Sequence, residues 1–216
     1  MIISFDGNVY TGKTTLIKLL AKEYKYASIG EHSLFVDLEG IKESDHYIID
    51  VQERYLRVDV VRKKFVRDGI TLLDRSFISV SAHVYALFML GVVDIRKSYC
   101  ELLQKKIDEI LIPDVFVFVC CAYEVSQRRC SSVDNYKKTN DMLLTKEYFR
   151  FVADFNERWI LMVNGRKIET QSSPTKEWLS GVQREIIQES LAHQYNPASI
   201  PRMIYSCMND STLIPL

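Results

Sequence analysis

The chain of 216 residues has no excess of charge of either sign, since 28 Lys and Arg balance 28 Asp and Glu. It therefore lacks the overall positive field that attracts nucleic acid or an anionic membrane surface. No apolar run reaches the roughly 20 residues that a membrane-spanning helix needs. An apolar strand is predicted from the first residue, which leaves no space for a targeting peptide. We expect a cytoplasmic protein that binds neither nucleic acid nor membrane.

The chain also lacks a cysteine pattern that would indicate disulfides or a bound metal. The five cysteines are odd in number and form no C-x-x-C pair, so neither a disulfide framework nor a zinc site is expected. Cys120 and Cys121 fall within an apolar run and are predicted to be small core residues rather than reactive thiols. With 47% apolar residues the chain can still form a substantial core, and its length suits one domain, or one domain with a small appendage.

The chain does contain a complete G-x-x-x-x-G-K-[ST] sequence near its start, at residues 7–14. Residues 1–6 are predicted to form a strand ahead of it, and apolar residues recur at helical spacing behind it. This is the strand–loop–helix context in which the motif binds phosphates. The candidate nucleotide-binding residues of this phosphate loop are Gly7, Asn8, Val9, Tyr10, Thr11, Gly12, Lys13, Thr14 and Thr15.

The residue types of the loop explain the chemistry. Gly7 and Gly12 permit backbone angles that let successive N–H groups turn inward around anionic oxygens. The N-terminus of the following helix adds to that positive field. Lys13 is predicted to neutralise the β- and γ-phosphates, and the Thr14 hydroxyl to bind Mg²⁺. The loop alone therefore predicts a nucleotide whose phosphates are held beside Mg²⁺.

Short apolar segments alternate with helical patterns along the rest of the chain, which predicts an α/β fold with a mostly parallel sheet. After the first strand, the predicted strands cover residues 26–30, 70–73, 115–121 and 167–170. Ligands bind at the carboxyl ends of strands in such sheets, so residues that follow a strand are candidates for the site. Glu31 follows the second strand, and Asp74 and Arg75 follow the third.

Four stretches of the chain together resemble the deoxynucleoside kinases and thymidylate kinases. Residues 7–14 resemble their G-N-x-x-x-G-K-[ST] loop, and residues 74–79, Asp-Arg-Ser-Phe-Ile-Ser, resemble their [DE]-R-S motif. Residues 113–129 resemble the fourth strand and the lid-side helix, and residues 147–159 resemble the helix after the lid. The order and spacing of these stretches agree with that family.

The resemblance implies a three-layer P-loop kinase fold with a five-stranded parallel sheet in the order 2-3-1-4-5. The kinase domain would span residues 1–192 with a short lid at about 130–141, and residues 193–216 would form a tail of unknown role. The family also suggests a homodimer through the apolar helices at 77–90 and 97–112, although the same helices could simply pack in the core.

The resemblance also implies roles for single residues, with ATP and Mg²⁺ as cofactors. Lys13 would neutralise the transferred phosphoryl group, Thr14 and Asp74 would lie at Mg²⁺, and Arg75 would contact phosphate or the acceptor. Arg129 matches the lid-side arginine near the donor adenine. Further lid candidates are Arg128, Lys137 and Lys138.

The acceptor separates the two kinase groups. Thymidylate kinases have an Arg-x-Pro-Gly-like segment after the second strand, where the Arg binds the acceptor monophosphate. This chain has Gly30 and Glu31 there, and deoxynucleoside kinases place a Glu at this position as base toward the 5′-hydroxyl. A hydroxyl needs a proton acceptor, whereas a monophosphate needs cations. The resemblance favours ATP-dependent transfer to a nucleoside, with Lys13, Glu31 and Arg75 as catalytic residues.

Departures from the family leave other interpretations open. The usual Glu-Pro and nearby Trp are missing. The helix after the second strand carries Gln52, Arg54 and Arg57, which could recognise a base or supply an acceptor-side cation. The alternative is therefore a thymidylate kinase-like nucleoside monophosphate kinase, with Arg54 and Arg75 on the acceptor phosphate. A third interpretation is a nucleotide-binding regulatory module, which is weakened because no Asn-Lys-x-Asp guanine motif is present.

Overall fold

Five strands form one parallel sheet at the centre of the structure. They are β1 (Ile2–Asp6), β2 (Ala27–Ile29), β3 (Thr71–Asp74), β4 (Val115–Cys120) and β5 (Arg166–Glu169). Their order is β2-β3-β1-β4-β5, and every pair of neighbours is parallel. The predicted α/β fold and strand order are confirmed. The computed structural model describes residues 1–36, 47–132, 141–170, 174–188 and 196–209.

Eight α-helices lie within these described residues. They are α1 (Lys13–Tyr24), α2 (Tyr47–Arg62), α3 (Phe77–Met89), α4 (Arg96–Lys106), α5 (Tyr123–Ser131), α6 (Lys146–Met162), α7 (Lys176–Gln188) and α8 (Ile200–Asn209). None of them is long and apolar enough to cross a membrane.

Strand β4 shows how the helices cover both faces of the sheet. Phe116 and Phe118 belong to the apolar core shared with α2, α3, α4, α6 and α8. Val115, Val117 and Val119 belong to the core shared with α1 and α7, because successive side chains of a strand point to opposite faces. A strand buried on both faces has a continuous apolar sequence, as this one does. The result is the three-layer architecture that the resemblance implies.

Helix α3 is apolar on nearly every side because it is enclosed by its neighbours. The ring of Phe77 meets that of Phe116 edge to face with centroids 6.0 Å apart, and Trp159 of α6 meets Phe116 at 5.3 Å. Ser76 caps the helix by accepting a hydrogen bond of 3.2 Å from the N–H of Ile78. Core packing thus accounts for the apolar sequence of α3, and the homodimer stays a prediction.

The sequence analysis assigns no helix to the C-terminal segment, where the structure has α8. Its buried residues, Ile200, Ile204, Cys207 and Met208, recur at helical spacing and join the core beside α4 and α6. Pro201 obscured this pattern. It lies in the first turn of the helix, where the N–H that proline lacks has no partner within the helix.

Two arginines hold the C-terminal end of α8. Arg158 Nη1 of α6 donates a hydrogen bond of 3.3 Å to the carbonyl of Cys207, and Arg96 Nη1 of α4 donates one of 3.3 Å to the carbonyl of Met208. Cations at this end also oppose the negative pole of the helix dipole. Residues 196–209, which were predicted to form part of a tail, are therefore packed onto the domain that contains the sheet.

Two helix ends differ from the sequence expectation. Helix α2 ends at Arg62 and is followed by the short 3-10 turn Lys63–Phe65, although the apolar residues Val58, Val61 and Phe65 continue at helical spacing past that end. Helix α4 ends at Lys106, although its apolar spacing continued to Leu111. Leu111 is nevertheless buried, so the apolar spacing correctly indicated a buried residue, although that residue lies beyond the end of the helix. The predicted lid lies mostly outside the described residues, as do Lys137 and Lys138.

The five cysteines are free, as the sequence predicts. Burial raises the pKa of the Cys120 thiol to about 11, and it also raises the pKa of Cys121 above its usual value. Both thiols are therefore protonated at neutral pH, and the thiol is the unreactive form.

Replacement of Arg62 by methionine is expected to destabilise the fold by about 3–5 kcal/mol, because it leaves the fully buried Asp59 without its cation. Arg62 Nη1 lies 2.9 Å from Asp59 Oδ1, and neither side chain is exposed. Chemical denaturation measures the free energy of unfolding. The matched control is Arg57→Met, which breaks an exposed pair with Glu53 on the same helix and should cost at most about 1 kcal/mol. Equal losses for the two variants would contradict the prediction.

Candidate active site

The phosphate loop turns sharply between β1 and α1. Gly7 and Gly12 have φ values of 134° and 95°, and Tyr10 has a φ of 56°. A Cβ atom on Gly7 would collide with the carbonyl oxygen of Val119 on the neighbouring strand. Glycine is therefore required at position 7 both for the backbone angle and for the close approach of β4.

The loop is closed on itself by hydrogen bonds. Lys13 Nζ donates to the carbonyl of Asn8 and, at 3.3 Å, to Thr11 Oγ1. Asn8 Nδ2 donates to the carbonyl of Phe149 at 2.9 Å, which joins the loop to α6. Lys13 is only 4% exposed. Its amine thus lies inside the loop, where it would meet the phosphates of a bound nucleotide.

The environment of Lys13 disfavours its charge in the absence of a nucleotide. Burial, helped by the positive charge of Arg75, lowers the pKa of Lys13 from 10.5 to about 7. Asp74, Glu31 and Asp6 act in the opposite direction but do not offset these effects. An anionic ligand beside the amine would favour the charged form and raise this pKa.

Nucleotide binding at about pH 8 is therefore expected to take up close to one proton at Lys13, because that amine is largely neutral in the free protein and charged in the complex. It follows that affinity falls as the pH rises through about 7, where the free protein loses this proton. Calorimetry with a non-hydrolysable ATP analogue, in two buffers of different ionisation enthalpy, counts the protons. In Lys13→Met the uptake should vanish, and its persistence there would assign the proton to another group.

Asp74 and Thr14 together offer oxygen atoms for a metal ion. Thr14 Oγ1 donates a hydrogen bond of 2.6 Å to Asp74 Oδ2, and the buried Asp74 Oδ1 has no hydrogen-bond partner among the described residues. Among the residues that the structure describes, no group of three or more His, Cys, Asp or Glu side chains could hold a metal ion. Mg²⁺ commonly needs only one or two protein oxygens, with phosphate and water completing its coordination. The residues present fit that ion.

Arg75 lies in a strained turn directly after β3. Its φ of 65° is in the left-handed region, which is unfavourable for an arginine. The turn is fixed on both sides, since the N–H of Arg75 donates to the carbonyl of Phe5 at 3.0 Å and the N–H of Ser76 donates to Asp6 Oδ1 at 2.8 Å. Such strain persists where the surrounding structure determines it, and it is often found at functional sites.

The turn directs Arg75 toward Glu31. Arg75 Nε lies 3.2 Å from Glu31 Oε2, and its Nη1 donates to the carbonyl of Gly7 at 3.1 Å. Ser33 Oγ donates to Glu31 Oε1 at 2.5 Å. Burial by itself raises the pKa of Glu31, but the charge of Arg75 and the hydrogen bonds from Ser33 and Arg75 outweigh it, so that the pKa lies below its usual value. Glu31 is therefore an ionised carboxylate, 37% exposed.

A cavity of about 880 Å³ connects these groups. Its walls include Lys13, Thr14, Glu31, Asp74 and Arg75. The carboxyl edge of the sheet thus brings together the loop, the candidate metal ligands Thr14 and Asp74, and the residues Glu31 and Arg75 that the sequence places after strands.

Arg129, on α5, also lines the cavity. Its Nη1 donates to the carbonyl of Thr11 at 2.8 Å and to Thr170 Oγ1 at 2.9 Å. The backbone of the phosphate loop therefore fixes this guanidinium group. Its neighbour Arg128 is exposed and does not line the cavity.

No protein-family model and no curated protein sequence matches the chain. Among solved structures, a deoxyadenosine kinase from M. mycoides with bound dATP has a TM-score of 0.63 and 13% identity, over 86% of this chain and 98% of that one. A thymidylate kinase from Candida albicans has a TM-score of 0.56 and 15% identity, over 90% of this chain and 94% of that one. The chain has the fold of these P-loop kinases. The similarity to both groups supports the fold that the resemblance implied.

The acceptor-side candidates of this P-loop kinase fold lie on α2. Gln52 is buried, Arg54 is half-buried, and the exposed Arg57 pairs with Glu53 at 2.6 Å. None of the three lines the cavity beside Lys13. Their assignment to the acceptor stays a prediction.

Thr170 and Trp178 also line the cavity, although neither was predicted from the sequence to belong to the site. Thr170 follows β5 directly, so the rule that selected Glu31 would also have found it. Trp178 lies on α7, where its apolar spacing also fits a core residue, and nothing in the sequence marks it as part of the cavity. Both residues therefore share the cavity with Lys13 and Arg129.

His83 on α3 forms a hydrogen bond with Tyr148 of α6. Its Nδ1 lies 2.9 Å from the tyrosine hydroxyl. Burial, followed by the charge of Arg75, lowers the pKa of His83 to about 4. The imidazole is thus neutral at physiological pH.

Proposed function

We propose that the protein transfers the γ-phosphoryl group of ATP to the 5′-hydroxyl of a nucleoside. One observation carries this proposal. Glu31, an ionised carboxylate, is held by Arg75 in the same cavity as Lys13 and Thr14 of the phosphate loop. A hydroxyl acceptor needs a proton acceptor beside the donor phosphates, and Glu31 is the group in this arrangement that can serve as one.

Positioned charge would supply most of the catalysis, because phosphoryl transfer has a transition state rich in negative charge. Lys13 would bind oxygens of the transferred group, and Arg75 would contact the same group or the acceptor while orienting Glu31. Thr14 and Asp74 would hold Mg²⁺, which when bound neutralises phosphate charge. Glu31 would accept the proton of the 5′-hydroxyl through Oε1 or Oε2. Arg129 would lie at the donor nucleotide.

The same geometry bears on the alternative acceptor. A nucleoside monophosphate needs several cations, and Arg75 is the cation that stands next to Glu31. Arg54 and Arg57 are not in the cavity wall, while the carboxylate of Glu31 would repel a second phosphate. The fold similarity to a thymidylate kinase keeps this monophosphate kinase as the second candidate. For either activity, we propose a cytoplasmic location and a small molecule as the partner.

The test is a phosphoryl-transfer panel with Mg-ATP against nucleosides and their monophosphates, with products identified by mass spectrometry. The proposal expects transfer to at least one nucleoside. Lys13→Met prepared in parallel measures contaminating kinase activity. Transfer to monophosphates alone would replace the proposal by the second candidate. Tight nucleotide binding without transfer to any acceptor would instead indicate a regulatory module.

A further inference from the structure

Three buried polar side chains form a connected network outside the cavity. They are His32 in the turn after β2, and Asp59 and Arg62 in α2, and none is more than 3% exposed. Asp59 Oδ1 accepts from His32 Nε2 at 3.2 Å and from Arg62 Nη1 at 2.9 Å. Asp59 is therefore the centre of the network.

The two ends of this network meet the two halves of the Glu31–Arg75 pair. His32 follows Glu31 directly in the chain. Arg62 Nη2 donates a hydrogen bond of 2.7 Å to the carbonyl of Asp74, which belongs to the peptide leading into Arg75. The Asp59 carboxylate thus links the backbone next to Glu31 with the backbone next to Arg75. The side chains of these two residues are in contact at 3.2 Å, between Arg75 Nε and Glu31 Oε2.

Stability alone is a weak reason for such a network. Buried ion pairs lose much of their attraction to desolvation, and apolar side chains of similar volume are often at least as stabilising. Asp59 Oδ2 and Arg62 Nε also lack hydrogen-bond partners among the described residues, so the hydrogen-bonding capacity is not fully used. The bonds that are made, however, have fixed directions and join two particular backbone segments.

We propose that His32, Asp59 and Arg62 are positioning residues. They fix the positions of Glu31 and Arg75 relative to each other and to the phosphate loop. This inference rests on the proposed function, in which Glu31 accepts the proton of the acceptor. A misplacement of about 1 Å can lower a rate about a hundredfold, so an anchor of this kind has a direct catalytic effect. Strain in the Arg75 turn makes external support necessary.

The test is His32→Leu, which removes the donor to Asp59 and leaves every cavity residue unchanged. We expect kcat for the nucleoside to fall about 10- to 100-fold, while the Kd for Mg-ATP stays at its wild-type value. The second measurement is the pKa of Glu31 from ¹³C NMR of its carboxyl group, assigned by the loss of its signal in Glu31→Gln. That pKa should rise, because Arg75 is no longer held beside it.

Two control variants separate positioning from general stability. His32→Gln supplies an amide donor to Asp59 and should restore most of kcat and the low pKa of Glu31. Arg158→Met breaks the pair of 2.9 Å between the buried Arg158 and the half-buried Asp154 on α6, and it should lower stability without changing either quantity. If His32→Leu does not fold, Arg62→Lys takes its place, since a lysine cannot reach both Asp59 and the Asp74 carbonyl.

The inference is overturned if His32→Leu keeps wild-type kcat and Glu31 pKa, or if Arg158→Met changes them equally. Absence of transfer by the wild-type protein to any hydroxyl acceptor would refute the proposed function instead. In that event the pKa of Glu31 in the variants still decides whether the network positions the pair.

Discussion

Lys13→Met should lower kcat for phosphoryl transfer by about a thousandfold or more, because it removes the cation inside the phosphate loop. Methionine has a similar length and no charge, so the loop can keep its shape. The variant should remain folded, since an amine with only 4% exposure contributes little to stability through its charge. Steady-state kinetics measures kcat, and circular dichroism with a thermal melt checks the fold.

The matched control for this prediction is Lys18→Met. Lys18 also lines the cavity, but it is exposed on α1 and lies outside the loop motif. Its replacement should leave kcat close to the wild-type value. If Lys13→Met kept more than about a tenth of wild-type kcat, the loop would not supply the catalytic charge assigned to it.

The second large effect is expected from Glu31→Gln. It should lower kcat with nucleosides at least about a hundredfold, because a glutamine cannot accept the proton of the 5′-hydroxyl. The control is Glu53→Gln, which changes another glutamate that is paired with an arginine but lies on α2 away from the cavity wall. Turnover within a few-fold of wild type would remove Glu31 from the role of general base.

The same variant also separates the two acceptor classes. With a monophosphate acceptor, loss of the Glu31 charge reduces repulsion and should preserve or increase kcat/KM. The pH profile adds a further check. The base acts when ionised, and its pKa lies below the usual value, so kcat/KM should stay flat from neutral pH through the ordinary range of glutamate and fall only below it.

Much of the fold could be predicted because the signals were local. The phosphate loop, the apolar run of β4 and the residues Asp74 and Arg75 at the end of β3 each occupy a few consecutive positions, and parallel strands bring their carboxyl ends to one edge. The strand order came from the resemblance, and the sheet of this chain has that order.

The contacts between distant residues could not be read in the same way. Nothing near Glu31 in the sequence indicates that it pairs with Arg75, or that Asp59 joins the two backbone segments from α2. The sides of α2 were ambiguous too, because its charged residues recur on several faces. Asp59 is completely buried, whereas Arg57, two positions earlier, is exposed.

The position of α8 has a consequence for biosynthesis. Among the described helices it is the last to leave the ribosome, yet Ile200, Ile204 and Met208 complete the core beside α4 and α6. Until it emerges, the apolar groove between those helices has no cover, and a nascent chain with such a groove is prone to aggregate or to recruit a chaperone. The helical layer that contains α3, α4 and α6 therefore completes its packing only after every strand of the sheet has left the ribosome.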